Sequence, residues 1–315
     1  MRLVTIDRPP YGRSGAIIGD DILDFGMAGA VFPLARWVPA ELVEILAAGD
    51  EGLAIVRRLI GTVADARDRA KDALRETGAL VPAKSTRLKA PLPRPGIVFS
   101  HGRAYKRHRA EMTGSSDIAP NERPGGFLKN CSSIVGPGQP IVIPKQAPDM
   151  VDFEGEISVV FGRDCHNVKQ ADALDYVMGV TIVNDVSARD WVHTMKTHGN
   201  DINRMGKQLA TFTPMGPCVA TKDEFTDLND LHVVSRLNGK VMQDARTTDL
   251  VWPIAELIEY YSFWYPFRAG DVMTTGSPEG VGFARKPPVF MKAGDTIAIT
   301  VDGVGTLENP IVAAG

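Results

Sequence analysis

Two glutamates, Glu154 and Glu156, stand two residues apart in Val151-Asp-Phe-Glu-Gly-Glu-Ile-Ser-Val-Val-Phe-Gly162, where a hydrophobic strand begins. Side chains at i and i+2 of a strand share a face, so the two carboxylates repel each other unless a cation lies between them. Oxygen-only ligation suits Mg²⁺, Mn²⁺ or Ca²⁺ better than zinc. A solvated edge strand carries such a pair without any ion, so the pair needs company before it counts as a site. Asp185 offers it. The segment Gly179-Val-Thr-Ile-Val-Asn-Asp185-Val-Ser-Ala-Arg189-Asp190 reads as a strand running into a helix. Helix capping there suits Ser187 better than Asp185, which leaves Asp185 as a third oxygen ligand with positions open for water or substrate.

A base is offered by Tyr105-Lys-Arg-His108-Arg-Ala-Glu111. Spacing of three on a helix puts His108 and Glu111 on one face, where a carboxylate fixes the imidazole tautomer for general-base work. The bland reading is a surface histidine in a basic helix. His101 competes for the same role, and His193 and His198 read as loop residues. A third feature, Gly270-Asp-Val-Met-Thr-Thr-Gly-Ser-Pro-Glu-Gly-Val-Gly282, is a strand followed by a loop that brings N–H groups and Thr275 towards a ligand. It lacks the glycine and lysine spacing of a phosphate-cradling loop, and turn chemistry explains most of it.

These residues need a frame. Short strands are expected at Leu3 to Ile6, Ala16 to Ile18 and Ile22 to Phe25, then helices over 41–46, 53–60 and 64–76. Three prolines in Pro91-Leu-Pro-Arg-Pro95 break the pattern, so residues 1–92 read as a small α/β N-terminal domain and 93–315 as a second, larger domain. Strands there are expected at 97–100, 141–143, 157–161, 179–183, 231–237, 272–275 and 296–301. Asn238-Gly239 marks a hairpin, and Pro253 opens a helix. The class is α+β.

The 315 residues, 44% hydrophobic and 23% charged with net charge −3, describe a globular chain without a broad basic surface for nucleic acid or anionic membrane. Three scattered cysteines suggest neither a disulfide framework nor a zinc site. No apolar run approaches the ~20 residues of a membrane span, and no leader is read at the N-terminus. A cytoplasmic setting is the expectation.

Taken in order, the segments resemble the fumarylacetoacetate hydrolase family across roughly residues 90 to 312. The resemblance rests on Tyr105-x-x-His108-x-x-Glu111, Phe127-Leu-Lys129, Asp152-Phe-Glu-Gly-Glu-Ile, Asn184-Asp-Val-Ser-Ala-Arg-Asp, Lys207 with Phe212-Thr-Pro-Met-Gly-Pro, Gly270-Asp-Val-Met-Thr-Thr-Gly-Ser-Pro, and Gly294-Asp with Gly305-Thr-Leu-Glu-Asn-Pro. It implies a mixed β-roll, usually dimeric, behind a variable N-terminal domain. It also implies Glu154, Glu156 and Asp185 as ligands of Mg²⁺, Mn²⁺ or Ca²⁺, and His108 and Glu111 as the catalytic dyad. By the same correspondence Lys207 takes a catalytic role, with Tyr105, Lys129, Arg189 and Thr275 near the substrate. Ala104, Val192, Ala210 and the Ser of Thr275-Gly-Ser-Pro depart from the family pattern without removing a ligand or the dyad.

The implied reaction is hydrolytic cleavage of a C–C bond in an acylpyruvate-like or β-diketo acid by water that His108 deprotonates. Loss of CO₂ or keto–enol isomerisation of an oxo-dicarboxylate is the alternative at the same site. A silent metal-binding dimeric scaffold is a third reading, against which His108 and Glu111 argue.

Overall fold

The computed structural model of the chain describes residues 1–117, 122–194 and 205–315. The fold is α+β. One large mixed sheet runs, in spatial order, through Leu80–Pro82, Asp21–Asp24, Arg13–Ile18, Arg2–Ile6, Thr213–Thr221, Val177–Asn184, Gly155–Phe161, Val272–Thr274, Val98–Gly102 and Gly125–Lys129, with Ile134–Val135 paired beside Thr213–Thr221. A second sheet of five strands comprises Lys240–Arg246, His232–Leu237, Thr296–Val301, Gly305–Ala313 and Ile141–Ile143. Asn238 and Gly239, both at positive φ, make the turn between the first two of these, as their sequence requires.

Central strands buried on both faces need unbroken apolar runs, and the sequence supplies them. All seven residues of Gly155–Phe161 and all eight of Val177–Asn184 are buried. The two sheets pack against each other through one core containing Ile157, Val159, Phe161 and Ile182 from the first, and Val233, Ile297, Ile299 and Leu307 from the second. Gly155 is a point of close approach between them. A Cβ there would collide with Ser235 Oγ and lie 3.0 Å from Ile299 Cγ2, so only glycine lets the strand carrying the two glutamates sit this deep.

The N-terminal residues extend the large sheet, because Arg2–Ile6 pairs antiparallel with Thr213–Thr221. Three helices, Leu42–Ala47, Gly49–Ala64 and Asp68–Glu76, lie beside that end. Their apolar faces share a second core with Val98, Val160, Met215 and Val272 from the main sheet. Among the described residues no helix is long and apolar enough to cross a membrane.

Candidate metal centre and catalytic dyad

Strand register assembles the acids. Gly155–Phe161 and Val177–Asn184 are antiparallel, with Gly155 opposite Asn184 and Glu156 opposite Val183. Asp185 therefore leaves its strand beside Glu154, and its N–H donates to the Glu154 carbonyl oxygen at 2.9 Å. The helix-cap reading of this segment fails in a specific way: Ser187 Oγ donates to Glu154 Oε1 and to the Asp185 carbonyl, both at 3.0 Å, instead of accepting from a helix N–H. Glu154, Glu156 and Asp185 are all buried, and each offers an oxygen within 4.8 Å of the others.

The neighbouring strands on the other side furnish the hydroxyls and a lysine. Val272–Thr274 delivers Ser277, whose hydroxyl lies 2.8 Å from Glu154 Oε2 and 2.7 Å from Glu156 Oε1. Val98–Gly102 delivers Ser100, donating to Asp185 Oδ2 at 3.0 Å. Gly125–Lys129 delivers Lys129, whose Nζ is 2.7 Å from Asp185 Oδ1. Lys207 Nζ bridges Glu154 Oε2 and Asp185 Oδ2, each at 2.7 Å. Arg189 holds Asp152 at 2.9 Å and also donates to Glu154.

Among the described residues four buried acids thus face three bases. Burial would lift Glu154, but Arg189 and Lys207 outweigh it and hold the carboxyl well below its ordinary value. Among the described residues Glu156 makes no ion pair of its own. Burial, with Asp185 and Glu154 alongside, pushes it up to about 8. The like-charge crowding is relieved either by a proton on Glu156 or by a divalent cation among the three carboxylates. Hard oxygen donors at this spacing fit Mg²⁺, Mn²⁺ or Ca²⁺.

A pH dependence follows. Glu156 binds its proton more tightly folded than at its ordinary 4.5, so its contribution to stability is complete below about 4.5 and is lost as pH rises through about 8. Metal-free protein is therefore expected to lose thermal stability from pH 5 to pH 8, more steeply than a Glu156→Gln variant; parallel melting curves for the two across that window would refute this.

The dyad lies on the helix Lys106–Thr113, which ends at Gly114 in a left-handed conformation. His108 is buried, not a surface residue, and its Nδ1 lies 2.7 Å from Glu111 Oε1. Glu111 in turn accepts from the Gly280 N–H at 3.1 and 3.0 Å. His108 lies near Glu154, and a proton taken up on its imidazole would favour the ionised form of that carboxyl. Tyr105 and Thr275 meet at 3.2 Å beneath, and Thr275 Oγ1 donates to the Ile157 carbonyl at 3.0 Å.

The loop after Val272–Thr274 differs from the expectation that its N–H groups serve a ligand. They go to protein carboxylates: Gly280 to Glu111, Gly282 to Asp152 at 2.7 Å and Phe283 to Asp152 at 3.1 Å. The loop thereby ties the dyad to the acid cluster. His101, the competing candidate, is turned to other partners. Its Nδ1 faces Tyr261 OH at 2.8 Å and the Gly125 carbonyl at 2.9 Å, and burial pushes it down to about 4. His193 belongs to the helix Arg189–Thr194 instead of a loop, and His198 lies outside the described residues. From sequence Asp152 stood only as part of a motif and Ser277 only as a departure from one, neither with a role at the site, and Ser100 carried no signal.

The family model described as "Fumarylacetoacetate (FAA) hydrolase C-terminal" matches residues 97–312. Oxaloacetate tautomerase YisK of Bacillus subtilis is 35% identical over 300 residues, covering 94% of this chain and 95% of that protein. The mitochondrial oxaloacetate tautomerase fahd2 of Xenopus laevis is 39% identical over 243 residues, 77% of this chain and 74% of that one. A solved structure of maleylpyruvate hydrolase from Sphingobium sp. SYK-6, in complex with manganese(II) and pyruvate, superposes with TM-score 0.74 at 29% identity, covering 100% of both chains. The chain belongs to the fumarylacetoacetate hydrolase family.

Proposed function

We propose that this member of the family is a divalent-metal-dependent keto–enol tautomerase of a small 2-oxo dicarboxylate, oxaloacetate or a close analogue of it. The observation that carries the reading is similarity over nearly the whole chain to a protein named as an oxaloacetate tautomerase. Hydrolysis of a C–C bond, the first expectation from sequence, has weaker support than this alternative. The site suits the simpler reaction, which needs one proton carrier and stabilisation of an enolate, with no attacking water to position.

A cation held by Glu154, Glu156 and Asp185 would polarise the 2-oxo group and gather the adjacent carboxylate. With Nδ1–H committed to Glu111, His108 presents Nε2 as the acceptor. It takes a proton from the carbon next to the carbonyl, and Glu111 stabilises the imidazolium. The proton then passes to the enolate oxygen, directly or through one water, and the reverse sequence restores the keto form. Lys207, whose ammonium Asp185 and Glu154 favour despite burial, directs positive charge at the developing oxyanion. Lys129, Arg189 and Ser277 hold the carboxylates in place, and Tyr105 and Thr275 form the floor. Every side chain given a role lies within 93–315, the part proposed as the catalytic domain, with 1–92 as its smaller companion.

The test follows the enol absorbance of oxaloacetate, with proton exchange at C3 read by NMR. Acceleration with Mg²⁺ or Mn²⁺, abolished by EDTA, is expected. Untouched oxaloacetate, together with cleavage of an acylpyruvate to pyruvate, would overturn the reading in favour of hydrolysis.

A further inference from the structure

Next to the acid cluster is a cavity of about 550 Å³ that none of the roles above uses. Phe127 lines it, and the Phe127 ring centroid lies 5.4 Å from Lys207 Nζ, the ammonium bridging Glu154 and Asp185. Trp252 forms an apolar wall, and three arginines, Arg103, Arg109 and Arg123, reach the same space. Their charges are not equivalent. Arg109 is engaged by Glu122 at 2.7 and 2.8 Å. Arg123 donates to the Glu122 backbone carbonyl at 3.1 Å and, among the described residues, makes no ion pair. Arg103 is exposed and, among the described residues, has no side-chain partner.

The backbone at Arg103 is unusual. Its φ is 52°, in the left-handed region that a non-glycine residue rarely adopts. The chain holds it there from both sides. Gly102 ends a strand paired to Gly125, the Ala104 carbonyl accepts from the Val251 N–H at 2.8 Å, and Tyr105 is bridged to Leu250. Strain kept by such over-determined surroundings tends to aim a side chain that matters. Here it fixes where a guanidinium leaves the main chain, five residues before His108.

We infer that Arg103 and Arg123 form a subsite for the second carboxylate of a 2-oxo dicarboxylate whose 2-oxo acid end lies at Glu154, Glu156 and Asp185. The inference rests on the proposed function and deepens it. Guanidinium groups match carboxylates with paired, charge-assisted hydrogen bonds, and two in one cavity without a carboxylate partner among the described residues select a dianion over a monoanion of the same size.

The test uses binding, not turnover. Mg²⁺-loaded protein is titrated calorimetrically with N-oxalylglycine, a 2-oxo dicarboxylate mimic that cannot enolise in this sense, and with N-ethyloxamate, which has a methyl group in place of the second carboxylate. The intact protein is expected to favour oxalylglycine by about tenfold or more, the worth of one charge-assisted hydrogen bond. Arg103→Gly, which removes the side chain without strain at this φ, is expected to abolish the preference and leave the ethyloxamate affinity unchanged. Arg123→Ala is expected to reduce the preference, and Arg103→Lys to restore part of it. No preference in the intact protein, a preference that survives both removals, or an equal loss for both ligands would overturn the subsite. If oxaloacetate is not tautomerised while the preference behaves as expected, the proposed reaction falls and the subsite stands.

Discussion

Replacing His108 with glutamine is expected to lower kcat for oxaloacetate tautomerisation by ~10²–10⁴-fold, the usual worth of a positioned general base. Glutamine keeps hydrogen-bonding capacity near Glu111 but cannot carry a proton between carbon and oxygen. Because His108 is not among the three proposed ligands, metal affinity should change little. The two measurements together isolate the role: kcat with proton exchange at C3 on one side, calorimetric Mg²⁺ binding on the other. A variant that keeps kcat within a few-fold would remove His108 from the mechanism. One that loses metal as well would make it a structural support of the cluster.

That histidine was legible in sequence as a spacing and ambiguous as an environment. The spacing of three from His108 to Glu111 predicts their contact, and the 2.7 Å bond is the outcome. Nothing local distinguishes a surface histidine among Lys106, Arg107 and Arg109 from a buried one. Its burial comes from distant chain, including the loop whose Gly280 N–H reaches Glu111 across 169 positions. Distance in sequence limited the cation set in the same way. Lys207 and Lys129 meet Asp185 from 22 and 56 residues away, so only the family resemblance marked them.

Strands with unbroken apolar runs were readable because two buried faces demand them. Thr213–Thr221 and Gly305–Ala313 were not, because Pro214, Gly216 and Pro217 in one and Asn309-Pro310 in the other read as turns. The first is nevertheless a central strand. Its ladder with Val177–Asn184 shifts register between Val180 and Ile182, and the irregularity falls where Pro217 would otherwise owe a hydrogen bond. The sheet pays for that proline by locally giving up regular pairing, a compromise that no propensity argument anticipates.

The acid cluster carries the other large effect. Glu156→Gln removes one oxygen anion from the three within 4.8 Å and is expected to weaken Mg²⁺ or Mn²⁺ binding by at least ~100-fold, more than the loss of an outer-shell partner ordinarily costs. Activity at limiting metal should fall in parallel. Without metal the same change should be close to neutral or stabilising above pH 5, because the amide mimics the protonated acid that burial and its like-charged neighbours already favour. Ser277 Oγ, 2.7 Å from Oε1, can still donate to the amide oxygen. Asp185→Asn should differ: Lys129 and Lys207 each lie 2.7 Å from that carboxylate, so neutralising it leaves two buried ammonium groups undercompensated and costs stability as well as metal. Urea denaturation of both variants in EDTA, beside calorimetric metal titrations, separates the cases. Equal destabilisation of the two metal-free variants would mean that Glu156 is held by cations as Asp185 is, and the charge imbalance that argues for a cation among the three acids would be gone.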